Sequence, residues 1–273
     1  MKNSVLIICV LGILSLNAQN FQGKAFYKTK RTINISMDST QVSSEQQQLL
    51  NEMLKKQMEK DFELTFDKEQ SIYKEQESLG GIQRGGIQII MAGGADILYR
   101  NTKEKRYVNQ NELFGKPFLI KDKIKKREWK LVNETKKIGG YTCYKATSTR
   151  EVKKFQSISK NGEKQEEKNP ELKTITITAW YTPQIPVAHG PSEYWGLPGL
   201  ILEVNDGSQV MVCNKIIINP KEKLLIKEPA SGKKVTQKQY DEILKKKMKE
   251  MEKMNRQNRK KGDGNSIEIK IGG

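Results

Sequence analysis

The chain has one histidine, His189, in 273 residues. Imidazole chemistry must therefore run through that ring. Ser192 follows closely, and Glu193 and Glu203 lie on either side of the next glycine-proline run. Hydrolysis by a serine nucleophile would use His189 as base, but no Gly-x-Ser-x-Gly elbow is present. Nearness in sequence does not make a triad. A metal site fares no better, since one histidine and a pair of cysteines cannot assemble the usual nitrogen and sulfur ligands. The sequence thus predicts no catalytic residue, no metal ligand and no cofactor. What it offers is binding chemistry: Trp180, Tyr181, Tyr194, Trp195 and Leu200 gather around His189, and these six are the candidate ligand-binding residues.

Ala179 to Val204, AWYTPQIPVAHGPSEYWGLPGLILEV, holds two of the three Trp, four of the eight Pro and the histidine. Thr174 to Tyr181 alternates β-branched and aromatic residues and predicts a strand. Pro183 and Pro186 end it by fixing φ and removing two donors. Leu200 to Val204 is a short apolar run closed by Asn205-Asp206-Gly207, which marks a hairpin into Gln209 to Ile218. The segment between these strands reads either as a rigid packed connection or as the wall of a ligand site, because binding residues concentrate on loops held by a scaffold.

GLPGLILEV, preceded by AWYTPQIPVAHGP and by WKLVNETKKIGGYTCYKATS, resembles the bacterial GLPGLI family. The resemblance runs from Phe21 to Pro229 and is strongest from Trp129 to Val204. It implies a secreted or envelope protein of Gram-negative bacteria, a family without assigned activity. The motif residues Gly196, Leu197, Pro198, Gly199, Leu200 and Ile201 carry kinship and no catalytic role. The Gly-rich stretch at 80–94 and the long basic tail depart from the plainer family pattern.

Export is also read from the residues. Lys2, an apolar run from Val5 to Leu16 and the small Ala18 form a signal peptide over 1–18, too short to span a membrane. Cys9 sits inside that run after Ile8, unlike a lipid-modified cysteine. The expected location is the periplasm, with secretion or outer-membrane association as alternatives. Removing the leader leaves Cys143 and Cys213. The sequence supports a disulfide and two buried thiols equally; a disulfide would close a loop of about seventy residues and contribute ~4 kcal/mol.

The rest predicts a mainly β, β-rich α+β chain: a curved antiparallel sheet or half-open barrel of about ten strands. Short alternating runs recur at Phe21–Ile35, Phe62–Phe66, Gln70–Lys74, Ile97–Val108, Lys116–Ile120, Trp129–Val132 and Gly140–Thr149, as in a meander. A Leu/Met stripe over Glu45–Met58 predicts one helix packed on the sheet. Leu79 to Gly94 holds six glycines, but no Gly-Lys-Ser/Thr makes it a phosphate loop. Leu224-Leu-Ile226 and Ser266–Ile271 are candidate further strands. The domain expectation is 19–230 as one β-rich unit and 231–273 as a basic helical tail. There Thr236 with Gln239 forms a capping box and Val235 with Tyr240 a hydrophobic staple.

The net charge is +17 with 30% charged and 36% hydrophobic residues. Lys215 to Lys261 holds 16 Lys/Arg against 6 Asp/Glu, so the excess is concentrated near the end. In an exported protein such a helix suits an anionic membrane surface or an envelope protein. Export and the lack of an aromatic-basic reading motif argue against nucleic acid. The leading functional expectation is non-catalytic binding of a lipid or other hydrophobic or amphipathic ligand in the sheet's concavity. The alternatives are an interaction module acting through the basic helix, and a hydrolase-like site at His189.

Overall fold

The computed structural model describes residues 21–31, 45, 59–76, 94–153, 159–160, 163–164 and 172–259. The leader, nearly all of the Glu45–Met58 helix, most of the Gly-rich stretch and the Ser266–Ile271 strand lie outside the described residues. The chain is mainly β. Strands β1 (Gln22–Arg31), β2 (Glu59–Asp67), β3 (Gln70–Glu75), β4 (Gly94–Asn101), β5 (Arg106–Leu113) and β6 (Lys116–Lys123) form one half of the sheet. Strands β7 (Lys130–Ile138), β8 (Tyr141–Lys153), β11 (Leu172–Thr182), β12 (Leu200–Asn205) and β13 (Gln209–Ile218) form the other. Between β8 and β11, β9 (Ser159–Lys160) and β10 (Glu163–Lys164) pair as a separate hairpin. β14 (Lys233–Val235) and helix α1 (Gln237–Arg259) complete the order.

The large sheet has twelve strands in the order β14-β6-β5-β4-β3-β2-β1-β13-β12-β11-β8-β7 and is open, not a closed barrel. Its pairs are antiparallel except for β14 on β6, where Lys233 to Val235 run parallel to Phe118 to Ile120. The sheet is therefore mixed at one edge, a correction to the antiparallel expectation. The strand near the end is also Lys233–Val235 and not Leu224-Leu-Ile226, whose Ile226 instead packs without strand pairing against Tyr99, Val108 and Leu119.

Turn chemistry explains why these elements start and stop where they do. Phe114 and Gly115 have φ of +50° and +73° and join β5 to β6 in a two-residue connection, the left-handed pair that matches strand twist. Asp67 Oδ1 accepts hydrogen bonds from the backbone N–H of Glu69 and Gln70 at 2.8 and 2.6 Å and folds β2 into β3. Asp206 does the same for Ser208 and Gln209 between β12 and β13.

The sheet curls strongly. β4 and β8 are seven strands apart in the order, a separation of ~34 Å if the sheet were flat. Both nevertheless line one cleft. The segment 183–199, between β11 and β12, fills the interior of this curl. Ile185 and Val187 join Ala25, Tyr27, Leu64, Phe66 and Leu202 in one core cluster. Tyr194 and Leu197 pack with Ala146, Ile177, Ala179, Ile201 and Met211 in a second.

Helix α1 docks by its first turns. Val235 and Tyr240 pack with Leu113, Phe118 and Ile120, and Ile243 and Leu244 extend the contact. The capping box is formed: Gln239 N–H donates to Thr236 Oγ1 at 3.3 Å, and Thr236 N–H donates to Gln239 Oε1 at 2.9 Å. Farther along, Met248 and Met254 are exposed.

Candidate functional site

The hexapeptide Gly196–Ile201 is built for close packing. Gly196 has φ of +92° and donates to the Ala188 carbonyl at 3.0 Å. Leu200 and Ile201 donate to the carbonyls of Ile185 and His189, each at 3.0 Å. A Cβ on Gly199 would lie 2.2 Å from the Thr182 carbonyl oxygen, so only glycine lets these two stretches of backbone touch. Leu197, Leu200 and Ile201 are buried core residues, and Pro198 is exposed. Tyr27 Oη donates to the Ile201 carbonyl at 2.7 Å and ties the motif to β1.

The six candidate binding residues do not form one surface. Tyr181 and Leu200 are buried in the two core clusters. Trp180 is half-buried, its ring covered by the Lys136 and Lys145 ammonium groups at 4.4 and 5.9 Å. Lys136 is in turn paired with Glu203 at 2.7 Å. Tyr194 is buried and donates its hydroxyl to Asp206 Oδ2 at 2.8 Å. Burial pushes the Asp206 carboxyl up, but hydrogen bonds from Ser208, Tyr194 and Gln209 outweigh it and hold the group below its usual range.

His189 has no exposed surface. Its Nε2 lies 3.1 Å from the Asp67 carbonyl oxygen, so that nitrogen carries the proton, and Nδ1 is buried without a partner. Burial and the nearby positive charge of Arg100 push the ring down to about 3, against a small opposing effect of the Asp67 carbonyl. An imidazole sealed from solvent cannot take a proton from a substrate. Cys143 and Cys213 are free thiols in the same core cluster. Burial raises them to about 11 and about 12, which leaves both protonated and unreactive.

Of the six, Trp195 borders open space: a cleft of 910 Å³ at the mouth of the curl. Leu98 and Arg100 of β4 and Tyr107 and Asn109 of β5 form one wall, and Thr147 to Thr149 of β8 the other. The connector from Ile124 to Trp129, which carries the chain from β6 across to β7, supplies Lys125, Lys126, Arg127 and Glu128. Ser192 and Glu193 lie beside Trp195, and Gln237, Lys238 and Asp241 bring in the start of α1.

The cleft's lining carries more cations than acids, and three of its four acids, Asp122, Asp241 and Glu193, are engaged. Asp122 Oδ2 accepts from the Gln237 backbone N–H at 3.1 Å, and Asp241 Oδ1 from the Gln237 side chain at 2.7 Å. Glu193 pairs with Arg127 at 3.0 Å. The Arg127 guanidinium also lies 5.0 Å from the Tyr194 ring and 5.9 Å from Trp129, whose Nε1 donates to the Trp195 carbonyl at 2.9 Å. Arg100 is 3% exposed, and its Nη2 donates to the Ser192 carbonyl at 2.5 Å. Burial lowers its guanidinium to about 10, with Glu193 opposing the shift. Arg100 Nε, Arg127 Nε and Asn109 Oδ1 are buried without hydrogen-bond partners.

The sequence reading did not single out Arg100, Arg127 or Tyr107. A signal for the first was present: Arg100 is two residues from Leu98 on one strand, so period two puts its guanidinium on the face of Leu98. Among the described residues, no three of His, Cys, Asp and Glu converge where they could hold a metal ion.

A family model described as a protein of unknown function, Porph_ging, matches residues 129–203; the family is found in Bacteroidetes. No curated protein matches the chain. Among solved structures it is similar to PNGF-II in a C2 crystal form, with 16% identity and a TM-score of 0.47 over 82% of this chain and 32% of that one. The P21 form of PNGF-II gives 16% identity and a TM-score of 0.48 over 82% and 33%. The chain spans about a third of the length of those solved chains.

Proposed function

We propose that this is a non-catalytic binding protein of the bacterial envelope, exported by its leader, that holds an amphipathic ligand in the cleft at the mouth of the curled sheet. The observation that carries the reading is the cleft itself. Its 910 Å³ lies in the usual range for small-molecule sites, and it combines Leu98, Tyr107 and Trp195 with cationic side chains. The interior of the curl is filled by Ile185, Val187, Tyr194 and Leu197. A ligand therefore sits at the mouth, where polar and apolar groups meet. The segment matched by the family of unknown function contains the Gly196–Ile201 hexapeptide, and we take that family to be the one named for it.

Tryptophan quenching tests this directly. The three tryptophans are Trp129, Trp180 and Trp195. Trp195 lines the cleft, Trp129 is hydrogen-bonded to the Trp195 carbonyl beside it, and Trp180 is elsewhere, under Lys136. Titrating ω-bromododecanoate into a Trp180→Phe chain is expected to quench fluorescence saturably, with little saturable quenching in a chain that keeps Trp180 alone. The reverse pattern would overturn the assignment.

A second reading draws on Met248 and Met254, exposed on the basic helix α1. A cationic helix with apolar side chains toward solvent fits an anionic membrane surface. Vesicles containing phosphatidylglycerol should lose the protein when residues 245–273 are removed; undiminished binding would end this reading.

A further inference from the structure

We propose that the cleft grips its ligand by an oxyanion, a carboxylate or a phosphate, and that the buried guanidinium of Arg100 is the anchor. This rests on the cleft being the ligand site and names the chemistry of the ligand's polar end.

Arg100 is a cation that has left water: it is 3% exposed. A buried charge requires an opposite charge or a full set of hydrogen bonds. Arg100 has a hydrogen bond to the Ser192 carbonyl, and its Nε has no partner. The carboxylate that acts on it, Glu193, makes its ion pair with Arg127, and its own side chain is 57% exposed. Arg127 borders the same cleft and also keeps a buried Nε without a partner. Two arginine side chains thus border one space, each with a buried Nε donor that has no partner. Their planar forks match the paired oxygens of a carboxylate or phosphate.

The remaining acids do not fill this role. Asp122 and Asp241 are bound to Gln237 on the helix side, and Glu128 is an exposed residue of the connector. Lys125 and Lys126 on that connector add positive charge at the cleft. Holding the Ser192 carbonyl is work that a neutral amide could do, and it leaves a buried guanidinium unexplained.

Calorimetric titration of the full chain tests the anchor with four probes that share a dodecyl tail: dodecanoate, dodecyl phosphate, dodecanol and dodecyltrimethylammonium, each below its micelle concentration. Acetate and inorganic phosphate serve as tail-free controls. At least one of the two anionic amphiphiles is expected to bind about tenfold or more tighter than dodecanol. Arg100→Gln should weaken that anion about 10- to 100-fold and leave dodecanol unchanged. General attraction of anions to a chain of net charge +17 would survive that substitution. If the thermal melt shows Arg100→Gln unfolded, Arg127→Gln gives the same comparison, and the selectivity of the unsubstituted chain still decides.

Dodecanol binding as tightly as both anions would overturn the anchor and leave the cleft reading standing. No binding by any probe would overturn both. A folded Arg100→Gln chain with unchanged anion affinity would also remove Arg100 from the role. Inorganic phosphate binding as tightly as dodecyl phosphate would keep the oxyanion site and remove the apolar tail from the account. A preference between dodecanoate and dodecyl phosphate identifies the source of the oxyanion.

Discussion

Gly199 and Gly196 stand in one motif but are required for different reasons, and their substitutions should separate. A methyl at Gly199 meets the Thr182 carbonyl oxygen at 2.2 Å and its carbon at 2.5 Å, backbone atoms that cannot step aside. Gly196 has a φ of +92° and nothing within 4 Å of its would-be Cβ. Gly199→Ala should therefore cost about 3 kcal/mol or more, and Gly196→Ala about 1–2 kcal/mol from backbone strain alone. Urea unfolding of the two variants checks the order, and equal losses would mean that Gly199 is not a point of close contact. His189 makes a second prediction at this scale. Its folded value is about 3, well below an unfolded value of about 6.5. The unfolded chain therefore gains a proton that the folded chain refuses. The stability from a neutral His189 is present above pH ~6.5 and is lost as pH falls toward 3, at up to ~1.4 kcal/mol per pH unit. His189→Gln, which cannot be protonated, should narrow its stability gap to the unsubstituted chain as pH drops from 7 to 4. A gap that stays constant would contradict the buried, neutral imidazole.

Helix α1 is where local sequence signals carried furthest. The pattern Val235-Thr236 with Gln239-Tyr240 predicted both capping box and staple, and both are formed, because a capping box depends on residues three apart and little else. Thr236→Ala should remove about 1 kcal/mol. Its effect should reach the docking of α1 on Phe118 and Ile120, read as faster hydrogen exchange across Gln237–Leu244; unchanged exchange would mean that the sheet alone holds the helix. The short strands were legible for the same reason, since β1 alternates in burial along Gly23 to Thr29. The parallel β14–β6 pair was not. A three-residue strand has no periodicity to read, and its partner Phe118–Ile120 is distant in the sequence. The weight of the 179–204 stretch in the fold was legible from its prolines, glycines and aromatics. Its role as the filling of the curl was not, because that depends on β1 and β2 wrapping over Ile185 and Val187.

The candidate site belongs to the scale of the whole molecule. It exists because a twelve-stranded sheet curls far enough to set β4 and β5 opposite β8, with the 124–129 connector and the start of α1 closing the gap. No run of residues encodes that meeting. The aromatic cluster around His189 looked like a site in sequence and is mostly core, while Arg100 and Arg127 lie in stretches without a motif. Arg100 gains significance only once its burial and its missing partner are seen together. The central claim, that this cleft carries an acidic amphipathic ligand, is tested most directly by native mass spectrometry of the chain purified from its native cells, before and after organic extraction. The account predicts an added mass that leaves on extraction, proves to be an acidic amphiphile and is absent from the Arg100→Gln chain. A bare chain at its own mass in both preparations, or an adduct indifferent to Arg100, would contradict it.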